Sequence, residues 1–374
     1  MKMKKVFAIV FSAVMIATFA GCSAKPSESA AASATQAQTT QAQTTQPETV
    51  AADVKNQMDK ALTDAQFEGI VQISKSGEVI YQYAQGNDDN GKALTVDASM
   101  PIGSVSKQFC AAAVMLLCDQ KKLSVDNTLD KYFPEYKNSK KLTVKHLLNM
   151  SSGLTNYLEL VDMSSMGTDE YDNVNAIKKA IFSKEPRFEP GDDYEYSNSN
   201  YFLLANIVEM ASGIAYHKFL RDQFFEPLEM THTGFTDEIF GNPAWSFALS
   251  ATESTEEGFY TPGITKGAGD VVSNAEDMEK WMRGLSGGKV ISSEAYMQMS
   301  QEVNPDSYEE YCYGLWKMPY GGVGHVGQIP PHFGAVDYIN TERDVYLFAV
   351  TNSGRGMSYV QEIPQELLSI LLEE

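Results

Sequence analysis

A serine and a lysine stand three positions apart, at Ser104 and Lys107, directly before an apolar pattern with helical spacing. That pattern consists of Phe109, Ala112, Ala113, Leu116 and Leu117. It predicts a buried helix, and residues i and i+3 lie on the same face of a helix near its start. A lysine whose pKa is lowered by burial can accept the hydroxyl proton of a serine. The spacing therefore predicts a nucleophile and its base, although an N-cap serine beside a solvated lysine would have the same spacing.

Two further motifs carry side chains that could take part in the same chemistry. The first is Tyr196-x-Asn198, directly before a segment with the apolar pattern of a helix. The second is His325-x-Gly327, at the start of a C-terminal segment that is predicted to form strands. Taken singly, Tyr196 is compatible with a core tyrosine and Asn198 with a loop residue. Taken together with the serine and the lysine, the motifs favour a catalytic set.

The order S-x-x-K, Y-x-N and H-x-G, at these separations, resembles the serine β-lactamase-like and penicillin-binding family. The likeness is greatest to class C β-lactamases and D-alanyl-D-alanine carboxypeptidases. Residues 146–154 and 267–273 add flanking sequence similar to that family, and the likeness runs from about Ala65 to the C-terminus. The resemblance implies a serine hydrolase that works through an acyl-enzyme, with no metal and no organic cofactor.

The resemblance also implies a role for each catalytic position. Ser104 would be acylated, Lys107 would polarise or deprotonate it, and Tyr196 would exchange a proton with it and with the leaving group. A phenol has an ordinary pKa near 10, so it needs a neighbouring ammonium to act as a base near neutral pH. Whether Lys107 or Tyr196 is the formal base stays open. Asn198 would bind Lys107 and the substrate amide, and the oxyanion hole would combine the N–H groups of Ser104 and Gln328.

His325 and Gly327 stand where this family often carries K-T-G, and we expect both to contribute to substrate binding together with Asn198 and Gln328. A lysine at this position helps to hold a substrate carboxylate, whereas histidine is mostly neutral at pH 7. An unperturbed histidine changes charge near pH 6.5. We therefore expect His325 to make the preference for a substrate carboxylate depend on pH.

The substrate is expected to be a small molecule or a peptide, such as a peptidoglycan stem peptide. The first interpretation is a D-alanyl-D-alanine carboxypeptidase-like or β-lactamase-related enzyme of the cell envelope. An esterase or a β-lactam hydrolase could use the same catalytic set. A penicillin-binding sensor that is acylated but does not turn over is the remaining alternative, and it would show a burst without turnover.

Two other patterns resemble functional motifs but fit structural roles better, and the histidines form no metal-binding motif. Residues 284–288 match G-x-S-x-G, but they close a predicted helix, whereas a nucleophile elbow needs a strand before it. Residues 322–327 match G-x-G-x-x-G, but no helix follows them, which argues against dinucleotide binding. The five histidines show no spacing typical of metal ligands.

The N-terminal part of the chain has the features of an exported lipoprotein. Residues 1–21 are predicted to be a signal peptide, because lysines precede a short apolar run. Cys22 follows Ala20-Gly21, as in a lipobox, and two acyl chains would anchor the protein stably. Residues 22–52 are rich in Ala, Ser, Thr and Gln and predict a disordered tether. The domain would then face outward from the cell membrane and contact it through the lipid only.

The net charge of −20 argues against binding to nucleic acid.

Residues 53–374 are predicted to form one domain with a mixed α/β (α+β) fold of the β-lactamase/transpeptidase-like type. Strands are expected at both ends of this domain, including residues 69–74 and 78–83 and, near the C-terminus, 323–329, 334–339 and 345–351. Helices dominate from Ser104 to about Met230. This order predicts an antiparallel sheet built from both termini and flanked by helices, with an all-helical insertion and the site between them.

Overall fold

The structure, a computed structural model, describes residues 50–372 apart from 89–90, 237–260, 302, 305–309, 331 and 355–356. The helices in these ranges are α1 (Ala52–Asp64), α2 (Lys107–Asp119), α3 (Val144–Leu148), α4 (Glu170–Phe182), α5 (Asn198–Ser212), α6 (Tyr216–Leu220), α7 (Ala275–Ser286), α8 (Ser293–Gln301) and α9 (Met357–Leu372). The strands are β1 (Gly69–Lys75), β2 (Glu78–Gln85), β3 (Met100–Pro101), β4 (Gly234–Phe235), β5 (Val271–Ser273), β6 (Trp316–Lys317), β7 (Val323–Gly324), β8 (Val326–Ile329), β9 (Phe333–Asn340) and β10 (Val345–Thr351). The predicted signal peptide, Cys22 and most of the tether lie outside the described residues.

The larger sheet joins the two ends of the domain, as the sequence predicts. Within the described residues its strand order is β2-β1-β10-β9-β7-β6, and β8 also pairs with β9. Strand β1 pairs antiparallel with β10, from Ile70 opposite Val350 to Lys75 opposite Val345. The predicted antiparallel sheet from both termini is therefore confirmed. A smaller sheet has the order β3-β5-β4 and leads directly into the turn that carries Ser104.

Successive side chains of the larger sheet enter two different cores, because strand residues alternate between the two faces. On β1, Ile70 belongs to the core that contains helices α2 and α5, whereas Val71 and Ile73 belong to the core that contains α1 and α9. On β10, Phe348 and Leu347 divide in the same way. The sheet is thus covered by helices on both faces, and the helix that begins at Lys107 lies within the larger core.

Two predicted elements differ from the structure. The continuous strand expected over residues 323–329 is divided at His325, whose backbone N–H donates to the side chain of Asp337 on β9 at 2.9 Å rather than to a backbone carbonyl of that strand. Within the predicted helical region from Ser104 to about Met230, helix α3 is short: it begins after the cap of Thr143 and ends before Met150, whose φ is 60°. In both cases a local bond or backbone angle interrupts a pattern that the sequence shows as continuous.

Cys110, Cys118 and Cys312 are free thiols. Cys110 and Cys118 both lie on α2, where eight residues of helix separate them by about 12 Å. Across the described ranges, the search for a helix that is both long and apolar enough to cross a membrane found none.

Candidate active site

The turn that carries Ser104 lies directly against strand β8. Gly103 has a φ of 53°, and a Cβ at this position would lie 2.6 Å from the backbone nitrogen of Gln328. A Cβ at Gly327 would lie 1.9 Å from the carbonyl oxygen of Ile102. Only glycine fits this close approach of two backbones at both positions. The two glycines therefore bring the segment before Ser104 and the segment that contains Gln328 into direct contact.

Lys107 is fully buried, and its ammonium nitrogen has three hydrogen-bond partners that are all uncharged. Nζ donates to Ser104 Oγ at 2.8 Å, to Asn198 Oδ1 at 2.7 Å and to the carbonyl oxygen of Ala268 at 2.6 Å. Burial holds the pKa of Lys107 well below its ordinary value, and the negative charge of Asp270 opposes this shift only in part. A neutral amine in this position could accept the Ser104 proton across the short Nζ–Oγ distance.

Tyr196 lies close to both Ser104 and Lys107. Lys107 Nζ lies 5.0 Å from the centre of the Tyr196 ring, and this ring stacks on Trp316 with 5.6 Å between centroids. Burial raises the pKa of Tyr196, while a hydrogen bond with Ser104 lowers it in part. The phenol therefore stays protonated at neutral pH. It is suited to donate a proton rather than to act as the initial base.

Asn198 is the first residue of α5 and connects that helix to the catalytic pair. Its Oδ1 accepts from Lys107, and its Nδ2 donates to Asn156 Oδ1 at 3.5 Å. Ser197 before it has extended backbone angles, with φ −142° and ψ 124°, so the chain turns into the helix at this point. The Y-x-N spacing thus places Tyr196 in the extended segment and Asn198 on the helix, both directed at Lys107.

His325 differs from the expectation that its charge is available to a substrate. Its ring is fully buried and lies 4.3 Å from the ring of Trp316, centre to centre. Nδ1 lies 2.7 Å from the carbonyl oxygen of Val326, and Nε2 lies 3.2 Å from the hydroxyl of Tyr311. Burial and the charge of Lys107 hold the pKa of His325 well below its ordinary value. The ring is therefore neutral over the pH range in which we expected it to titrate.

A cleft of about 160 Å³ opens beside Ser104. It is lined by Ser104, Tyr157, Leu158, Asn198, Thr265, Ala268, Gly269, Gln328, Ile329 and Pro330. Ser104, Asn198 and Gln328 are sequence-predicted site residues, whereas His325 and Gly327 are not part of this lining. Tyr157 and Leu158 had no motif to mark them. Tyr157 donates its hydroxyl to the carbonyl of Ile264 at 2.5 Å, which fixes its ring at the wall of the cleft.

The turn that offers the Ala268 carbonyl to Lys107 is held by Asp270, a second residue that motif analysis missed. Asp270 is 2% exposed, and its Oδ2 accepts from the backbone N–H of Gly267 at 3.1 Å. The same oxygen lies 2.9 Å from His217 Nε2. The flanking sequence 267–273 contains Asp270, so a signal was present, but the sequence does not show that its carboxylate lies near Lys107.

The chain is similar to several known proteins. The family model described as Beta-lactamase matches residues 50–371. A Bacillus subtilis (strain 168) protein, provisionally named penicillin-binding protein PbpX, is 27% identical over 284 residues, which are 74% of this chain and 69% of that protein. The teichoic acid D-alanine hydrolase of Staphylococcus aureus is 27% identical over 271 residues, which are 70% of this chain and 66% of that protein.

The solved structure of D-amino acid amidase from Ochrobactrum anthropi SV3 complexed with L-phenylalanine has the same fold. Its TM-score is 0.73 at 24% identity, and the match covers 86% of this chain and 98% of that one. The family model spans most of the chain, including the motifs Ser104-x-x-Lys107, Tyr196-x-Asn198 and His325-x-Gly327. The chain therefore belongs to the beta-lactamase family, and it is a serine hydrolase with the β-lactamase/transpeptidase-like fold.

Proposed function

We propose that this protein hydrolyses D-aminoacyl esters or amides of the cell envelope through an acyl-enzyme on Ser104. The observation that carries the proposal is the fully buried Lys107, whose Nζ lies 2.8 Å from Ser104 Oγ and has only uncharged hydrogen-bond partners. A lysine in these surroundings can be neutral near pH 7 and serve as a general base. The remaining assignments follow from the groups placed around this pair.

In the proposed first step, Lys107 takes the hydroxyl proton and Ser104 Oγ attacks the substrate carbonyl. The N–H groups of Ser104 and Gln328 receive the developing oxyanion, and each such donor is typically worth about 3 kcal/mol in the transition state. Tyr196, kept protonated, passes a proton to the leaving alcohol or amine, and Asn198 holds both Lys107 and the substrate amide. Water then attacks the acyl-enzyme and releases the acid, with the same groups acting in reverse.

The cleft supports a substrate that has no carboxylate beside the scissile bond. Among the described lining residues, none carries a cationic side chain, and the buried neutral ring of His325 does not replace one. A carboxypeptidase or a β-lactam hydrolase would have to bind the substrate carboxylate, which costs free energy when no charge compensates it. The names of two similar proteins, a teichoic acid D-alanine hydrolase and a D-amino acid amidase, refer to D-amino-acid compounds.

A D-alanyl-D-alanine carboxypeptidase is the second candidate, because one relative bears the name of a penicillin-binding protein. The two candidates differ in one property that can be measured, which is whether a free carboxylate on the leaving group makes cleavage faster. We expect a D-alanyl ester or amide to be cleaved faster than the matched D-alanyl-D-alanine peptide.

The test is a substrate panel measured with the wild-type protein and with Ser104→Ala. The panel contains a D-alanyl ester, a D-alanine amide, a D-alanyl-D-alanine peptide and a penicillin. We expect kcat/KM for the first two to fall by at least about 10²-fold in the variant. A labelled fluorophosphonate should form its adduct on Ser104 in peptide mass mapping. An adduct on Ser286 would contradict the proposal, and a penicillin burst without turnover of any substrate would favour a sensor.

We also propose that the protein is exported and tethered, with residues 1–21 removed, Cys22 acylated and residues 22–52 acting as the tether to the folded domain from residue 53. The support is the sequence pattern alone, which lies almost wholly outside the described residues. Cys22→Ser should release the protein from the membrane fraction or leave an unprocessed precursor. Normal processing together with membrane retention in this variant would rule the lipid anchor out.

A further inference from the structure

Strand β9 carries a buried carboxylate that has no part in the proposed catalytic steps. Asp337 has no exposed surface. Its Oδ1 accepts from Gln108 Nε2 at 2.9 Å and from the backbone N–H of His325 at 2.9 Å. Its Oδ2 is buried and has no hydrogen-bond partner among the described residues. Burying a carboxyl group with one oxygen lacking a hydrogen-bond partner costs free energy of folding. We therefore looked for a role that would offset this cost.

The two donors to Asp337 belong to the two segments that form the proposed oxyanion hole. Gln108 directly follows Lys107 on α2, and its Oε1 accepts from Trp281 Nε1 at 2.8 Å. His325 directly precedes β8, the strand that contains Gln328. The backbone N–H of Asp337 also donates to the carbonyl of His325 at 3.1 Å. A single carboxylate oxygen therefore joins the catalytic helix to the strand that lies across the cleft from it.

We propose that Asp337 is a positioning residue that sets the separation between the Ser104 turn and the N–H group of Gln328. This inference rests on the proposed function, because it concerns the oxyanion hole assigned there. The helix and the strand share one acceptor atom, so neither can move away from the other without losing a buried hydrogen bond. A displacement of about 1 Å in such a site can cost about 10²-fold in rate.

The acceptor role does not require a negative charge on Asp337. Burial raises its pKa to about 7, so the neutral acid is a major form at neutral pH. The titratable groups around it are His325, which is itself buried and neutral, and Tyr296 of α8. Lys107 is one residue from Gln108, and its ammonium is directed at Ser104 and Asn198. Asparagine keeps the oxygen acceptor without the titration, so Asp337→Asn is the conservative variant.

The experiment compares Asp337→Ala with Asp337→Asn, and uses Asp277→Ala as the matched control. Asp277 is equally buried and accepts from the backbone of His232 and from Thr233, away from the cleft lining. Active sites are counted with a fluorophosphonate, and kcat and KM are measured with a D-alanyl ester. We expect Asp337→Ala to lower kcat per titrated site by about 10- to 100-fold with KM little changed. Asp337→Asn should restore kcat, and Asp277→Ala should lower Tm alone.

A wild-type kcat per titrated site in Asp337→Ala would overturn the inference, as would an equal loss of kcat in Asp277→Ala. If Asp337→Ala does not fold, Gln108→Met decides, because it removes the helix-side donor to Asp337, together with the acceptor of Trp281 Nε1, and should also lower kcat. Failure of the proposed function itself would be seen separately, as activity that survives Ser104→Ala.

A second readout is the stability of Asp337→Asn. Since the raised pKa of Asp337 makes the wild type lose stability as the pH rises from about 4 to about 7, this loss should be absent in the variant.

Discussion

Lys107 and Lys266 are both buried, with 0% and 5% of their surface exposed, but their surroundings are different. Within the part of the chain that the structure describes, Lys107 donates to a hydroxyl, an amide oxygen and a backbone carbonyl, all uncharged. Lys266 donates to the carboxylates of Glu170 and Glu209, at 2.8 Å in each case. Burial lowers the pKa of Lys107, whereas the two carboxylates outweigh burial and raise the pKa of Lys266.

The contrast shows that the charges nearby, and not burial alone, decide what a buried lysine does. Lys266 stays charged and joins helices α4 and α5 through an ion pair on each, which is a structural role. Among the described residues, no carboxylate contacts Lys107, so the neutral amine needed for proton transfer is accessible. The carboxylate of Asp270 raises the pKa of Lys107 in part, but its Oδ2 contacts Gly267 and His217 rather than the lysine itself.

The largest effect is expected for Lys107→Met. If Lys107 is the base, its removal should lower the acylation rate by about 10²- to 10⁴-fold. The variant should remain folded, because it replaces a desolvated amine with an apolar chain of similar length. The measurement is the fluorophosphonate labelling rate together with Tm. Near-normal labelling in the folded variant would show that Lys107 is not the base. Lys107 would then not differ from Lys266 by having a catalytic role.

Lys266→Met should show the opposite pattern. Loss of the shared ammonium leaves Glu170 and Glu209 without their partner, and we expect the free energy of unfolding to fall by about 1–3 kcal/mol. Since Glu170 is 44% and Glu209 28% exposed, water compensates both carboxylates in part. Urea denaturation gives this value.

The matched control for this variant is Lys55→Met, which breaks an exposed pair with Asp59 and should cost no more than about 0.5 kcal/mol. Equal effects in the two lysine variants would mean that the buried pair contributes no more than a surface pair. A large loss of kcat per folded molecule in Lys266→Met would also contradict a purely structural role for Lys266.

The pH dependence of stability should separate the two lysines by sign. The lowered pKa of Lys107 means that the unfolded chain binds a proton that the folded chain does not, up to about pH 10.5. Wild-type stability should therefore rise with pH over this window relative to Lys107→Met. The raised pKa of Lys266 stabilises the fold below about pH 10.5, and this contribution is lost as pH rises further. Urea unfolding midpoints measured at several pH values would show these opposite slopes. If the midpoints of wild type and Lys107→Met change in parallel with pH, the prediction for Lys107 is refuted.

The parts of this fold that the sequence predicted best are those with local, periodic patterns. The β1–β2 hairpin, the strand Val345–Thr351 and helix α5 follow directly from apolar spacing. The division between β7 and β8 could not be read in this way. It depends on a bond from His325 to the side chain of Asp337, twelve residues away in sequence and on another strand.

For the proposed catalytic set too, the sequence predicted the local contacts but not those made by distant segments. Ser104 and Lys107 are one helical turn apart, so their contact is a property of local sequence. The carbonyl of Ala268 and the ring of Trp316 come from distant segments with no motif, and only the fold places them against Lys107 and Tyr196. The neutral state of His325 was missed because burial is a tertiary property that residue type does not reveal.

The smallest effect, and the one that tests the chemistry most closely, is expected for Asp270→Asn. The carboxylate of Asp270 raises the pKa of Lys107 against the effect of burial. Asparagine keeps an oxygen for the N–H group of Gly267 and removes the charge, so the pKa of Lys107 should fall further. The measurement is the pH profile of kcat/KM for a D-alanyl ester, with Asp172→Asn on the surface of α4 as the control that should move neither limb.

The limb that moves in Asp270→Asn identifies the base. If neutral Lys107 takes the Ser104 proton, activity is lost at low pH when Lys107 becomes charged, so the acid limb should move to lower pH. If instead a Tyr196 phenolate needed the Lys107 ammonium beside it, activity would be lost when Lys107 deprotonates, and the alkaline limb would move to lower pH. The raised pKa of Tyr196 favours the first result. A profile that does not move at either limb would mean that the charge of Asp270 does not reach Lys107, and its role would then be limited to holding the turn at Ala268.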